Sequence, residues 1–340
     1  MRLDHASLAA GTGTGLVSEE ATGTMRDQQA QADVIDAVSG GINFVQSSSK
    51  NYVGVQENIL GVIKSHLPAG SFTDTVSVKA PRALNFSLFV HQPTDVLMSH
   101  GVADKNYFLR KDAEGNRIAN TLKYAFVPGE WLKRRLLAAN SLNLTEEQIL
   151  TVGWPRLDHL LELQKASDNQ RKERKRPLIL WAPTHDFARR GPGEESISSY
   201  PELSEHLDEL RKHFDVEISL HPRNRPDKKP TRNQLIECDY VISDFGTMVY
   251  EAWALGKPVI FPYWIIGERI KKHLRQAAEA HIFRERIGIH ADSVKDIVEA
   301  VNERRGLDDK VKTFLDDYLP PQYLGCSGKR VADLLLKFAA

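Results

Sequence analysis

The chain has 340 residues, with 45 lysines and arginines against 45 aspartates and glutamates, and 41% apolar content. That length and composition suit a globular protein of two domains and exclude a disordered tail. A formal net charge of zero supplies no global positive field for a polyanion, so nucleic acid is not expected as a partner and an anionic ligand must meet a local cluster.

Two cysteines, Cys238 and Cys326, are too few for a disulfide framework or a structural zinc site and fit a reducing compartment. The longest apolar run, 258–266, is flanked by Lys257 and Gly267 and falls far short of the roughly 20 residues that span a bilayer. The opening MRLDHASLAAGTGTG lacks a basic stretch followed by an apolar core, so no secretory signal and a cytoplasmic location are expected.

In chain order, residues 1–70 hold nine of the 22 glycines and only two aromatics, Phe44 and Tyr52. They read as an N-terminal extension, partly helical or flexible, because so little apolar area offsets little ordering entropy. Helix-compatible spacing falls over 25–38 and 53–67, while GTGTG at 11–15 lacks the preceding strand a phosphate loop requires and is expected to be flexible. From about residue 84 the runs LNFSLFV, TDVLMSHG, YAFVPG and ILTVGWP read as strands or strand ends of a first Rossmann-like domain over 71–170. The polar segment DNQRKERKR at 168–176 is the expected boundary. A second Rossmann-like domain over 171–340 has strands in PLILWAPTH, DVEISLHP, DYVISDF and KPVIFPYW, and helices over 294–304 and 328–338. The predicted class is α/β, two such domains facing across a cleft, with the active site at the strand ends.

Four strand-end clusters carry side chains suited to phosphate chemistry. Ser99-His100-Gly101 follows the run DVLM, with Lys105 five residues beyond the histidine; glycine beside such a histidine lets a ligand or a second backbone come close. The plainer reading is a histidine satisfied by a loop carbonyl. Trp181-Ala182-Pro183-Thr184-His185 ends the first strand of the second domain and places Thr184 and His185 toward the cleft. His221-Pro222-Arg223 ends the next, where guanidinium forks match phosphate oxygens, although the segment also reads as a solvated basic loop. Ser243-Asp244-Phe245-Gly246-Thr247 leads into a helix whose first N–H groups, with the Thr247 hydroxyl, make an anion site. Asp244 would bracket that site or serve only as a cap. Glu251, on roughly the same helix face, would take both hydroxyls of a ribose or else be a surface glutamate in an i,i+4 contact. Together these clusters describe a cleft that holds a phosphorylated, nucleotide-bearing donor from the second domain and offers it to a base from the first.

The clusters also fall in a fixed order: His100-Gly101 with Lys105, Gly153-Trp154-Pro155-Arg156-Leu157-Asp158, WAPTH at 181–185, His221-Pro222, Asp244-Phe245-Gly246-Thr247 with Glu251, and Gly256-Lys257-Pro258-Val259-Ile260-Phe261. From about Asp95 to Phe338 this series resembles the CDP-glycerol glycerophosphotransferases, the teichoic-acid and capsule polymerases and primases of the glycosyltransferase-B (GT-B) fold, with their His-Gly, GYPRND, YAPTWR, His-Pro, DYSS and KKPIIF segments. Gly246 stands where the family carries the first serine of DYSS, and His185 where an aromatic residue or arginine follows APT.

The resemblance implies a transferase that moves glycerol phosphate, or a related polyol phosphate, from CDP-glycerol to a hydroxyl of a cell-surface glycan or lipid-linked acceptor, releasing CMP. It implies His100 as the general base and His221 as a contact of the donor pyrophosphate, aided by Arg223. Thr184, Ser243, Asp244, Gly246, Thr247 and Glu251 are implied as donor-binding, and Gly101, Lys105 and His185 as binding phosphate or acceptor. No tightly bound metal is expected, with Mg²⁺ only loosely held on the donor pyrophosphate. Two other readings stand beside this one: a GT-B glycosyltransferase or nucleotide-sugar 2-epimerase using a UDP-sugar, and a non-catalytic nucleotide-binding protein. Arg269, Lys271, Lys272, Arg275, Arg284 and Arg286, near Trp264, Ile265 and Phe283, would form a basic amphipathic face against an anionic membrane surface or a solvated helix beside the cleft.

Overall fold

The computed structural model describes residues 41–168, 174–184, 196–221 and 231–340. The helix expected over 25–38, the GTGTG segment, His185, Pro222 and Arg223 lie outside the described residues.

The first sheet begins earlier than the expected extension allows. β1 (Ile42–Gln46) pairs in parallel with both β2 (Phe72–Val76) and β3 (Leu84–Ser87). Residues 42–70 are therefore part of the first domain rather than an appendage. Their aromatic content is low, but Phe44 is completely buried with its ring edge-on to Phe72 and Phe86 at 5.7 and 5.6 Å, and burying one such side chain contributes about 1.5–3 kcal/mol. The expected helix forms as α1 (Val53–Lys64), seated by Ile59, Leu60 and Ile63 at helical spacing. β4 (Val96–Met98), β5 (Tyr124–Val127) and β6 (Ile149–Thr151) follow in the runs that predicted them, joined by α2 (Glu130–Leu137) and α3 (Pro155–Asp168).

The second sheet holds β7 (Leu178–Ala182), β8 (Asp215–Ile218), β9 (Tyr240–Ser243), β10 (Val259–Pro262) and β11 (Ile289–Ala291). Its helices are α4 (Leu207–His213), α5 (Arg232–Glu237), α6 (Thr247–Ala254), α7 (Tyr263–His273), α8 (Ala278–Arg284), α9 (Val294–Asn302), α10 (Asp309–Tyr318) and α11 (Ser327–Ala339). The strand orders are β2-β1-β3-β4-β5-β6 and β11-β10-β9-β7-β8, and every ladder is parallel. Each order reverses once, between β1 and β3 and between β7 and β9. In open parallel sheets ligands bind outside the carboxyl ends of the strands at such a reversal.

A boundary at residue 170 separates the sheets but not the domains. The last helix, α11, returns to the first sheet: Ser327 and Gly328 donate their N–H groups to the Asp158 carboxylate at 3.1 and 2.7 Å, and Phe338 stacks on Tyr124 at 3.9 Å. Asp158 thus satisfies donors at the start of α11 that the helix itself leaves unpaired.

Two of the three apolar residues of the basic face expected near residues 265–286 are drawn inward. Ile265 and Phe283 are buried in the core, and Trp264 lies against His206. Arg269 pairs with Glu202 at 2.7 Å, Lys271 with Glu268 at 2.5 Å and Arg286 with Asp292 at 2.9 Å. Three of the six basic side chains are thus paired within the domain. Among the described residues no helix is long and apolar enough to cross a membrane.

Candidate active site

His100 stands after β4 in a cage of rings. Phe89 stacks on it at 5.0 Å, Tyr107 meets it edge-on at 5.2 Å and Tyr52 lies at 5.5 Å. Phe89 and Tyr52 follow β3 and β1, so the cage is built at the reversal point of the first sheet. Tyr107 is fixed by donating to the Leu88 carbonyl and accepting from the Val90 N–H. Desolvation in this cage lowers the His100 pKa to about 4, with Lys105, Arg110 and His91 adding repulsion and the Leu88 carbonyl opposing it. The ring is neutral at neutral pH, and its Nδ1 is buried without a hydrogen-bond partner.

The two domains meet at Gly101. A β-carbon there would lie 2.7 Å from Thr247 Oγ1, so glycine lets the His-Gly turn rest against the start of α6 without displacing that hydroxyl. Gly246 precedes that helix with φ +102°, a conformation that favours glycine. Lys105 reaches the same place from the first domain. Its ammonium lies 5.0 Å from the Phe245 ring centre, and a β-carbon at Gly246 would come within 3.1 Å of it. Lys105 keeps an exposed flank, yet desolvation by the surrounding protein lowers its pKa, with Arg110 adding to the effect and Glu279 opposing it. Partial exposure inside a crowded shell is the position of a side chain in a cleft. Backbone N–H groups at a helix start and an ammonium from the facing domain make one composite anion site.

A second seam holds that geometry. Asp104 accepts from Arg135 at 2.9 Å and from the Ala278 N–H at 3.0 Å. Glu279 accepts from the Lys105 N–H at 3.0 Å and from the Tyr250 hydroxyl at 3.2 Å. Arg135 also donates to Asn106 Oδ1 and the Gln276 carbonyl. Burial, with the Glu279 charge adding to it, raises the Asp104 pKa against the pull of Arg135. These groups hold the turn bearing Lys105 against α8.

The other donor-side residues divide. Ser243 donates to the Ala182 carbonyl at 2.8 Å. Asp244 is fully buried and accepts from the Thr184 N–H at 2.8 Å. Burial raises its pKa to about 6, with hydrogen bonds from Ser199, Thr184 and Ser198 working against the rise. In this conformation Asp244 makes no side-chain cap at the helix start but braces the ends of β7 and β9 through Oδ2, while its Oδ1 is buried without a partner. Glu251 is not a surface glutamate. It is fully buried, accepts from Trp154 Nε1 at 3.0 Å and pairs with Arg156 at 3.3 Å, so in this conformation one carboxylate oxygen ties the domains together while Oε2 is buried without a partner. Burial raises its pKa, with Arg156 and Trp154 opposing. Thr184 is buried after β7, and His221 is half-buried after β8. Among the described residues no three His, Cys, Asp or Glu side chains gather as a metal site.

The structure thus joins His100, Gly101 and Lys105 to Gly246 and Thr247. Tyr52, Phe89, Tyr107, Asp104, Arg135 and Glu279 surround the candidate site and are missed by sequence reasoning, because no local spacing marks them.

No protein-family model and no curated protein matches the sequence. Solved structures match its fold. The wall teichoic acid polymerase TagF superposes with a TM-score of 0.60 at 15% identity, covering 94% of this chain and 95% of that one. A point variant of TagF gives 0.61 at 15% identity, covering 94% and 96%. The S. aureus MnaA–UDP structure gives 0.50 at 12% identity over 88% of this chain and 96% of that one. The chain has the two-domain GT-B fold of TagF. At these identities the likeness is one of fold.

Proposed function

We propose that this protein transfers glycerol phosphate, or a closely related polyol phosphate, from CDP-glycerol to a hydroxyl group of a glycan or lipid-linked acceptor. The observation that carries the reading is the composite anion site: Lys105 of the first domain beside the Gly246–Thr247 helix start of the second, next to a neutral histidine. A TagF variant soaked with CDPG shares the fold, at 14% identity and a TM-score of 0.58, and the ordered motifs around His100, His221 and Glu251 support the same donor.

In this reading the acceptor oxygen forms a bond to the donor β-phosphorus as the bond from that phosphorus to the CMP oxygen breaks. His100 takes the acceptor proton, and CMP leaves with the bond's electron pair. Lys105, the N–H groups at Thr247 and His221 oppose the negative charge developing on the leaving phosphate. A base with a pKa near 4 is weak, but a bound pyrophosphate beside it raises that value, because nearby negative charge favours the imidazolium. Donor binding and base activation are then one event.

Parallel calorimetric titrations with CDP-glycerol, CMP and UDP-N-acetylglucosamine test the donor. Tighter binding of the cytidine ligands is expected. Preference for the uridine ligand overturns the reading and points to a UDP-sugar enzyme of the same fold.

A further inference from the structure

The loop after β4 carries His100, Gly101 and Lys105, and the second domain grips it at several points. Gly101 rests at Thr247, the Tyr318 hydroxyl donates to the Val102 carbonyl at 2.9 Å, and Asn106 Nδ2 donates to the Arg275 carbonyl at 3.4 Å. Between these contacts lies a reciprocal pair. The Asp104 carboxylate accepts from the Ala278 N–H, and the carboxylate of the next residue in α8, Glu279, accepts from the Lys105 N–H.

The backbone at that pair is strained. Lys105 and Asn106 have φ of +44° and +55°. Asparagine tolerates the left-handed region, but lysine has no short polar side chain to offset the crowding of its β-carbon there. Such a conformation persists where the surrounding structure imposes it. The group on the Lys105 N–H is Glu279, at 3.0 Å, while Asp104 Oδ1 accepts from the Asn106 N–H at 3.2 Å and Arg135 donates to Asn106 Oδ1.

Glu279 also reaches the other half of the anion site. Its second oxygen accepts from the Tyr250 hydroxyl at 3.2 Å, and Tyr250 stands three residues beyond Thr247 in α6, less than one turn along the helix. One buried carboxylate therefore touches both the turn that presents the ammonium and the helix whose first N–H groups face it. A negative charge in that place disfavours an anion, so any gain in affinity that Glu279 brings comes through geometry.

We propose that Glu279 is a positioning residue for the donor-phosphate site: it holds the left-handed Lys105–Asn106 turn against α6, so that the Lys105 ammonium and the Gly246–Thr247 helix start face one phosphate group. The proposal rests on the reading of that composite site as the place of the donor phosphates.

Calorimetry on the full chain with inorganic pyrophosphate and with CDP-glycerol tests it, using Lys105→Ala, Glu279→Ala, Glu279→Gln and the double variant Lys105→Ala/Glu279→Ala. Charge and position predict opposite signs. If Glu279 acted by charge, its removal would tighten pyrophosphate binding; loss of positioning weakens it. The expected result is a loss of about tenfold in Lys105→Ala, a loss approaching it in Glu279→Ala, and no further loss in the double variant, because Glu279 acts through Lys105. Glu279→Gln keeps an acceptor for the Lys105 N–H and meets the Tyr250 hydroxyl with its amide, so it should bind pyrophosphate as tightly as the wild type. Unchanged or tighter binding in Glu279→Ala, additive losses in the double variant, or a loss in Glu279→Gln equal to that in Glu279→Ala overturns the proposal. If Glu279→Ala does not fold, Glu279→Asp, one methylene too short to meet both partners, takes its place with the same expected direction. A wild type that binds pyrophosphate with this dependence but ignores CDP-glycerol overturns the donor reading and leaves Glu279 its role. Pyrophosphate binding that is absent, or indifferent to Lys105→Ala, overturns both.

Discussion

Tyr52 lies 5.5 Å from the His100 ring and 4.6 Å from Phe89, and so joins the cage that keeps the imidazole neutral. Phe89 and Tyr107 are buried, whereas Tyr52 is half-buried, so Tyr52 is the ring whose removal would open the cage to solvent. Tyr52→Ala is therefore expected to raise the His100 pKa from about 4 toward the ordinary value near 6.5, and Tyr52→Phe to leave it low. The imidazole resonances of His100, followed against pH by NMR, decide between them. An unchanged titration in Tyr52→Ala would falsify the account of the cage.

Replacing His100 by alanine removes the base but not the anion site. CMP release in the presence of an acceptor should fall by about 10²–10⁴-fold, while the dissociation constant for CDP-glycerol stays within about twofold. A loss of donor affinity matching the loss of rate would instead assign His100 to binding.

The contact of Gly101 with Thr247 is testable as a pair. Gly101→Ala inserts a β-carbon 2.7 Å from Thr247 Oγ1 and should weaken CDP-glycerol binding by holding the domains apart. Thr247→Ala removes that oxygen, so the double variant should bind better than Gly101→Ala alone. Calorimetry on the four proteins gives the coupling energy; a value near zero means the turn and the helix start do not meet in solution.

Acid and base act in opposite senses on two of the burial-shifted groups, His290 and Asp104. His290, like His100, has a pKa lowered to about 4 by desolvation. Its contribution is complete above the unfolded value near 6.5 and is lost as pH falls through the folded value. Asp104 is raised to about 7, so its contribution is present below the usual carboxylate range and is lost as pH rises through the folded value. Urea unfolding between pH 4 and 8 should show His290→Phe losing less stability than the wild type on acidification. Asp104→Asn should lose less on the alkaline side. Parallel curves for wild type and variants would show that neither group titrates differently in the folded state.

Arg156 and Trp154 depend on the Glu251 carboxylate. Glu251→Ala leaves a guanidinium and an indole N–H without their partner, at a cost of about 3–5 kcal/mol, and Glu251→Gln keeps an acceptor for the indole and should cost less. Chemical denaturation with Trp fluorescence gives both values, and equal losses would remove the distinction drawn between the charge and the hydrogen bond.

Much of the fold is legible in the chain. The runs that form β3 to β10 are short and apolar and end in small or polar residues, so spacing and residue type alone single out strand-end residues such as His100 and Thr247. β1 is not legible as a strand, because its five residues, INFVQ, include Asn43 and Gln46 and sit in a glycine-rich stretch. Asn43 is nonetheless fully buried, satisfied by Asn85 Oδ1 at 2.9 Å and Thr75 Oγ1 at 3.0 Å from the flanking strands. Those partners are distant in sequence, so composition counts Asn43 as polar while the fold uses it inside the sheet. Ser243 and Asp244 are engaged by the neighbouring segment for a related reason. Their place at a strand end follows from the local pattern, but the hydrogen bonds their oxygens make depend on Ala182, at the end of the neighbouring strand, and Thr184 just beyond it.

Period and punctuation along the chain are enough for the α/β class, the parallel strands and the order of the phosphate-suited turns, because those properties arise from φ/ψ preferences and side-chain alternation over a few residues. Tertiary packing alone decides that Lys105 lies beside Gly246, that Glu251 meets Trp154 and Arg156, and that Tyr52 closes on His100. Each of these contacts joins segments far apart in sequence. Such pairings are selected by the fit and burial of whole surfaces, which no local spacing encodes.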